Sequence, residues 1–262
     1  QDPSVQSRAK EFEKRYGERF KFFKEKFSGI QNVMEKIQKK EINSFIFDIG
    51  ISSMQLDNLN RGFSFQKEGP LDMRMNLSGK TAAELIANVK EDDLANIIYY
   101  YGDENNSRKI ARRIVEYRKR SKITTTTELA NIIKNCFPSK YYKKHPATKT
   151  FQAIRIYLNN EIEELCDGLN NAARYLSRGG KICIVSFHSI EDRLIKKFFQ
   201  FGGDNRDLNK NFLDKYRNKV VKPSSREIQI NPRSRSAKLR FATRNQNKFT
   251  SVKLSELGFE QA

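Results

Sequence analysis

The apolar run Ser44-Phe-Ile-Phe47 stops at Asp48-Ile-Gly50 and opens into the polar stretch Ile51-Ser-Ser-Met-Gln-Leu-Asp57. No other feature restricts the fold as much. It reads as a strand that ends in an acid and a glycine. In an α/β sheet the carboxyl end of a strand is where ligand chemistry is placed. Asp48, Ser52, Ser53, Gln55 and Asp57 all offer hydrogen-bonding groups there, and no apolar run follows at once to bury them. An ordinary strand-to-loop exit with a solvated Asp has the same local pattern.

Helix and strand signals alternate around this exit. Charged helices are predicted over Val5 to Tyr16 and Ser28 to Lys39, with a short strand from Arg19 to Phe23 between them. From Thr81 to Pro138 the pattern is helical throughout, with Thr81 as an N-cap and helices over Asp92–Tyr101, Asn105–Lys119 and Thr127–Cys136. Alternation resumes after His145-Pro146. A long or broken helix covers Thr150 to Leu176 and is stopped by Gly179-Gly180. The buried strand Lys181–Phe187 and the helix Ile190–Phe201 follow. Gly202 to Ile230 is polar and Lys-rich and reads as a mobile loop, and Ser236 to Thr243 alternates basic and apolar residues as an edge strand does. The fold class expected is α/β, a sheet domain interrupted by an all-helical domain, with limits at 1–57, 58–145 and 146–262.

Lys and Arg total 50 against 31 acids, a net charge of +19. A surplus of that size suits a polyanionic partner, because each phosphate neutralised releases counterions. Lys, Asn and Ile are all abundant, so part of the charge reflects general composition and solubility. No apolar run has membrane-spanning length and there is no signal-peptide pattern, so a soluble, cytoplasmic chain is expected. Cys136, Cys166 and Cys183 are widely spaced, and only His145 and His188 could join them. No metal site is predicted.

Five blocks resemble the MraW (RsmH) family. They are Asp48 to Asp57, Arg61-Gly-Phe-Ser-Phe65 with Gly69 to Met75, His145-Pro-Ala-Thr-Lys-Thr-Phe-Gln-Ala-Ile-Arg-Ile156, Val185-Ser-Phe-His-Ser-Ile-Glu-Asp-Arg193, and Asn231-Pro-Arg-Ser-Arg-Ser-Ala-Lys-Leu-Arg240. Their order follows that of the family across essentially the whole chain. The resemblance implies a Rossmann-like methyltransferase sheet carrying an inserted helical domain. It also implies an S-adenosylmethionine-dependent enzyme that methylates the N4 amino group of a cytosine in 16S ribosomal RNA of the small ribosomal subunit. By position, Asp48 and Gln55 match residues that contact the methyl donor, and Phe27 matches the position lining its adenine. A core aromatic at a helix start is the other use of such a Phe. The chain departs from the family at its beginning: Gln1-Asp2-Pro3 matches residues just after the acid that binds the cofactor ribose. The glycine-rich loop expected before it is not in this sequence. An incomplete copy with weak donor binding is therefore expected, with the edge of Ser44–Phe47 exposed. A non-catalytic RNA-binding derivative is the competing expectation.

Methyl transfer from a sulfonium needs alignment and desolvation rather than a metal. Asp48 is the first candidate, for donor binding or for accepting a hydrogen bond from the amino group. His188 is the second catalytic candidate, although a His after a strand is also a common local hydrogen-bonding residue. Phe187 is a stacking surface for an extruded base, and Arg193 meets a phosphate. Further RNA contacts are expected from Arg74, Arg113 in the basic helix, the Lys143-Lys144-His145 turn, Arg155 and Arg235. Asp72 and Arg74 also fit an ion pair within the domain.

Overall fold

The computed structural model describes residues 2–138, 142 and 144–259. In chain order the first elements are α1 (Gln6–Tyr16), α2 (Ile30–Lys36), β1 (Ile42–Asp48), α3 (Ser53–Asp57), α4 (Ala82–Asn88), α5 (Glu91–Gly102) and α6 (Ser107–Arg118). Then come α7 (Thr126–Lys134), α8 (Thr148–Leu158), α9 (Glu161–Tyr175), β2 (Leu176–Ser186), α10 (Ser189–Asp204), α11 (Ser225–Ile230) and β3 (Lys238–Thr243). No described helix is long and apolar enough to cross a membrane. The described chain divides into two compact units, residues 2–24 with 51–161, and residues 25–50 with 162–259.

The first unit is helical. Its core is built from the inward faces of α4 to α8, with Ile86, Leu94, Ile98, Ile114, Leu129 and Ile154 almost fully buried. Helix starts are set by reciprocal caps. Thr81 accepts from the Glu84 backbone N–H while the Glu84 carboxylate accepts from Thr81, and Thr125 and Glu128 repeat the arrangement. Such a box satisfies two amide donors that the first turn would leave open. Residues 2–24 and 146–161 fall with this unit, whereas the sequence grouped them with the sheet.

The second unit holds a three-stranded sheet in the order β1-β2-β3. β1 pairs parallel with β2, placing Asp48 opposite Val185, and β3 runs antiparallel with Lys238 opposite Ser186. Ile182 and Ile184 of β2 are fully buried, as are Ile190, Leu194 and Phe198 of α10. The fold is thus mixed α/β with one antiparallel edge strand. β1 is the other edge, and Ile46 on it is 78 % exposed.

Three expectations need correcting. Arg19 to Phe23 is not a strand: after a 3-10 turn at Gly17–Arg19 the chain is irregular. Phe20 packs on Phe12 at 5.8 Å, and the Phe22 N–H donates to Glu13 Oε1 at 3.2 Å, so the alternating Phe and Lys residues serve α1 instead of a sheet. The Gly179-Gly180 pair does not separate helix from strand. β2 begins directly after α9, and the glycines lie where the pairing jumps from Ile42–Leu176 to Ser44–Lys181. Gly179 has φ +76°, as a bulge at that point requires. Finally, the polar segment after Gly202 is anchored rather than loose. Phe212 and Leu213 are buried, and Phe212 packs on Phe198 and Phe249 at 5.9 and 5.0 Å.

Candidate active site

The parallel register brings the exits of β1 and β2 to one rim of the sheet. Beyond Asp48, the Ile49 N–H still donates to the Val185 carbonyl at 3.2 Å. The chain then turns at Gly50, with φ +97°. A Cβ there would lie 3.7 Å from both Glu191 Oε1 and the Phe187 ring, so the two exits are in contact. Asp48 is exposed and has no hydrogen-bond or ion-pair partner among the described residues. Partial loss of hydration at this position pushes its carboxyl above the ordinary Asp value. No cation offsets that effect.

Phe27 stands close by. It opens a 3-10 turn held by Glu164, which accepts from the Ser28 N–H and from Lys26 Nζ, both at 3.2 Å. Its ring meets Phe47 edge-on at 5.3 Å, next in sequence to Asp48. A Cβ on Gly168 of α9 would sit 2.6 Å from the Phe27 Cβ, so only glycine lets the aromatic lie so close to the helix. Phe27 still keeps 37 % of its surface open. An accessible aromatic face packed on the last residues of β1 offers an apolar wall to a ligand at the strand end. Phe187 is also 37 % exposed at the same rim.

His188 is placed at the rim, but its ring caps α10. Nδ1 accepts from the Glu191 backbone N–H at 3.3 Å, and Nε2 lies 3.0 Å from Glu191 Oε1. The tautomer that satisfies both contacts carries its proton on Nε2 and has no free lone pair. Glu191 Oε2 also accepts from the Phe187 N–H at 2.9 Å. His188, the second catalytic candidate, thus fastens the corner. A His-x-x-Glu box is a signal readable in the sequence once His is admitted as a cap.

The remaining predicted residues divide between the two units. Gln55, in the helical unit, is buried. Its Oε1 accepts from the Ser52 N–H at 2.9 Å, and Nε2 donates to Asp2 Oδ2 at 2.7 Å. The Ser-x-x-Gln spacing announces this capping box. Asp2 is also bonded by Arg61 Nη1 at 2.7 Å, and Arg61 Nη2 donates to the carbonyls of Arg74 and Met75 at 2.9 Å each. Arg74 is paired with Asp72 at 2.7 Å, and Arg155 forms two short bonds to Glu161. Arg113 lies 3.7 Å from Glu116. Lys144 is exposed, and Lys143 lies outside the described residues. In the sheet unit Arg193 stacks over Phe259 at 5.7 Å, and Arg235 is exposed.

One cluster was not anticipated. Asp192, next to the cap, accepts from Arg240 Nε at 2.6 Å and from Lys238 Nζ at 2.9 Å. Burial alone would raise its carboxyl pKa. The bonds from Arg240 and Lys238 outweigh that and hold it below the usual range. Arg240 Nη1 also donates to Tyr216 Oη at 2.7 Å and to Asn218 Oδ1 at 2.9 Å.

The model of the MraW methylase family matches residues 1–245. The chain is 44 % identical over 253 residues to the ribosomal RNA small subunit methyltransferase H of Rickettsia conorii (strain ATCC VR-613 / Malish 7), covering 92 % of this chain and 81 % of that protein. A protein of the same name from Ehrlichia ruminantium (strain Gardel) is 49 % identical over 229 residues, 85 % of this chain and 76 % of the other.

Proposed function

Because the chain belongs to the MraW methylase family, we propose that it methylates the N4 amino group of a cytosine in 16S ribosomal RNA, using S-adenosylmethionine. In this reading the small ribosomal subunit, in the cytoplasm, is the partner. The three strands are part of a Rossmann-like methyltransferase sheet, and the helical unit is the domain inserted into it. One observation carries the proposal: Asp48 stands unpartnered at the end of β1, in register with the strand that delivers Phe187. The family match favours an enzyme over a non-catalytic RNA-binding derivative.

When bound, the donor supplies an already activated methyl group, so the protein has to align and dehydrate the reactants. Phe27 offers an apolar wall for the adenine. Asp48 holds the donor's amino group or accepts a hydrogen bond from the cytosine N4, whose lone pair is otherwise delocalised into the ring. Its raised carboxyl pKa makes it a better resting place for a proton than an ordinary Asp. Phe187 is the surface on which an extruded base stacks. His188 and Glu191 fix the backbone that carries Phe187.

The test is to incubate the protein with small ribosomal subunits and labelled donor, then map the modified nucleotide. Label on a cytosine N4 is expected. Asp48→Asn should lower the rate by about 100-fold or more. Label on another base, or an Asp48→Asn variant with the parent rate, would overturn the reading.

A further inference from the structure

The sheet register places a second feature on the rim that bears Asp48. Asp48 pairs with Val185, and Val185 pairs with Leu239. Leu239 exchanges both backbone hydrogen bonds with Val221, at 3.0 and 2.9 Å. These four residues form one row across the sheet. Three inter-strand steps put Val221 about 14 Å from Asp48. Lower on the same edge, Leu213 bridges to Arg244, so residues 213–221 climb beside β3 toward the rim. The chain therefore leaves the sheet at Val221 and re-enters it at Lys238, both at the carboxyl end of β1.

The excursion is folded. Ser224 caps α11, the Asn231 N–H closes it on the Glu227 carbonyl at 2.7 Å, and a 3-10 turn follows at Pro232–Ser236. Ser234, whose Oγ donates to the Asn231 carbonyl at 2.8 Å, ties the turn to the helix end. The root is fixed from below by Arg240, which bonds Tyr216 and Asn218 on the ascending limb. On this ordered flap Lys222, Arg226, Arg233 and Arg235 are all exposed, with Glu227 the one acid between Val221 and Lys238. On the basic face of α6, Arg108, Arg112 and Arg113 each lie 3.7 to 3.9 Å from a carboxylate. Ile230, 77 % exposed at the end of α11, adds an apolar contact for a ribose or base.

We propose that residues 222–235 are a phosphate clamp that holds the RNA backbone flanking the nucleotide presented at Asp48. The inference rests on the RNA reading above and adds where the polyanion is gripped. A fixed array of cations one sheet width from the reacting rim neutralises backbone charge and sets the strand's path past Asp48.

The test compares the parent with Lys222→Gln/Arg226→Gln/Arg233→Gln/Arg235→Gln and with Arg108→Gln/Arg112→Gln/Arg113→Gln. Each is titrated against purified small ribosomal subunits between about 50 and 200 mM salt. Thermal melts confirm that each remains folded. The flap variant is expected to bind about 100-fold more weakly at the low-salt end. Its plot of log affinity against log salt should be shallower by about 3, at roughly 0.7 to 0.9 for each phosphate no longer neutralised. The α6 variant should change the slope by less than about 1. A parent-like slope in the flap variant, with the parent binding normally, overturns the clamp. So does an equal or larger weakening in the α6 variant. A parent that binds no ribosomal RNA at any salt overturns the RNA reading itself.

Discussion

The two units differ in what becomes of a motif carboxylate: the helical unit ties it down, while the sheet unit ties down one and leaves another open. In the helical unit Asp2 is committed to Arg61 and Gln55, and Asp72, within a resembling block, to Arg74. In the sheet unit Asp192 is committed in the same manner, but Asp48 at the rim is not. A committed carboxylate holds chain segments together. An uncommitted one, kept partly dry and above its ordinary pKa, costs stability and is available to a ligand. Motif membership alone does not separate the two kinds of residue, whereas their partners do.

Removing a committed charge and an uncommitted one should therefore have opposite consequences. Arg61→Ala leaves Asp2 buried without its cation, and breaking such a pair costs about 3–5 kcal/mol. Urea titration should show an unfolding free energy lower by that amount, the largest stability effect of any change considered for this protein. Asp48→Asn should do nothing of the kind. An acid whose folded-state pKa is raised destabilises the fold once it ionises, so neutralising it should leave the melting temperature unchanged or slightly higher. Loss of methyl transfer without loss of stability would mark Asp48 as functional. A destabilised Asp48→Asn protein would erase the distinction.

The same comparison extends to pH. Burial raises the Asp2 carboxyl pKa, but hydrogen bonds from Ser4, Arg61 and Gln55 outweigh it and lower the value from 3.8 to about 2. The sign follows from a depressed folded-state pKa. Stability from Asp2 is complete above pH 3.8 and is lost as pH falls toward 2. Acid titration of the parent and of Asp2→Asn should show this component in the parent alone. If both proteins lose stability along the same curve, Asp2 is not the acid-sensitive link.

Much of this division was legible in the sequence, and the reasons for the remainder are physical. The run Lys181–Phe187 reads as a strand because packing on both faces leaves a continuous apolar signature, and Ser44–Phe47 carries the same signature although Ile46 faces solvent. Thr81 was found as a cap because its hydroxyl and Glu84 lie at the required spacing. The Arg19–Phe23 strand was wrong because alternation reports two-sidedness and not the presence of a neighbour to bond with. The segment after Gly202 was misjudged because Tyr216 and Asn218 are held by Arg240, more than 20 residues downstream. Polar composition gives no sign of an anchor so far away. Asp48 was identified by its place at a strand end. The engagement of His188 by Glu191 is written in the His-x-x-Glu spacing and is overlooked because His is not among the usual N-cap residues.

The smallest effect expected is at the open edge of β1. Ile46 presents an apolar side chain to solvent on a strand whose outer backbone groups pair with no other strand among the described residues. Among the described residues the helical unit has no comparable strand edge, since helices satisfy their backbone internally. An exposed apolar edge is a template for a second chain, and a charge placed on it blocks that pairing at little cost to the fold. Ile46→Lys should shift the melting temperature by no more than a surface change does, about 0.5 kcal/mol in stability. It should also reduce concentration-dependent self-association, measured by light scattering over a dilution series. An equal change in scattering from a lysine at Tyr99, an exposed aromatic of the helical unit, would show that the difference lies in surface hydrophobicity and not in the strand edge.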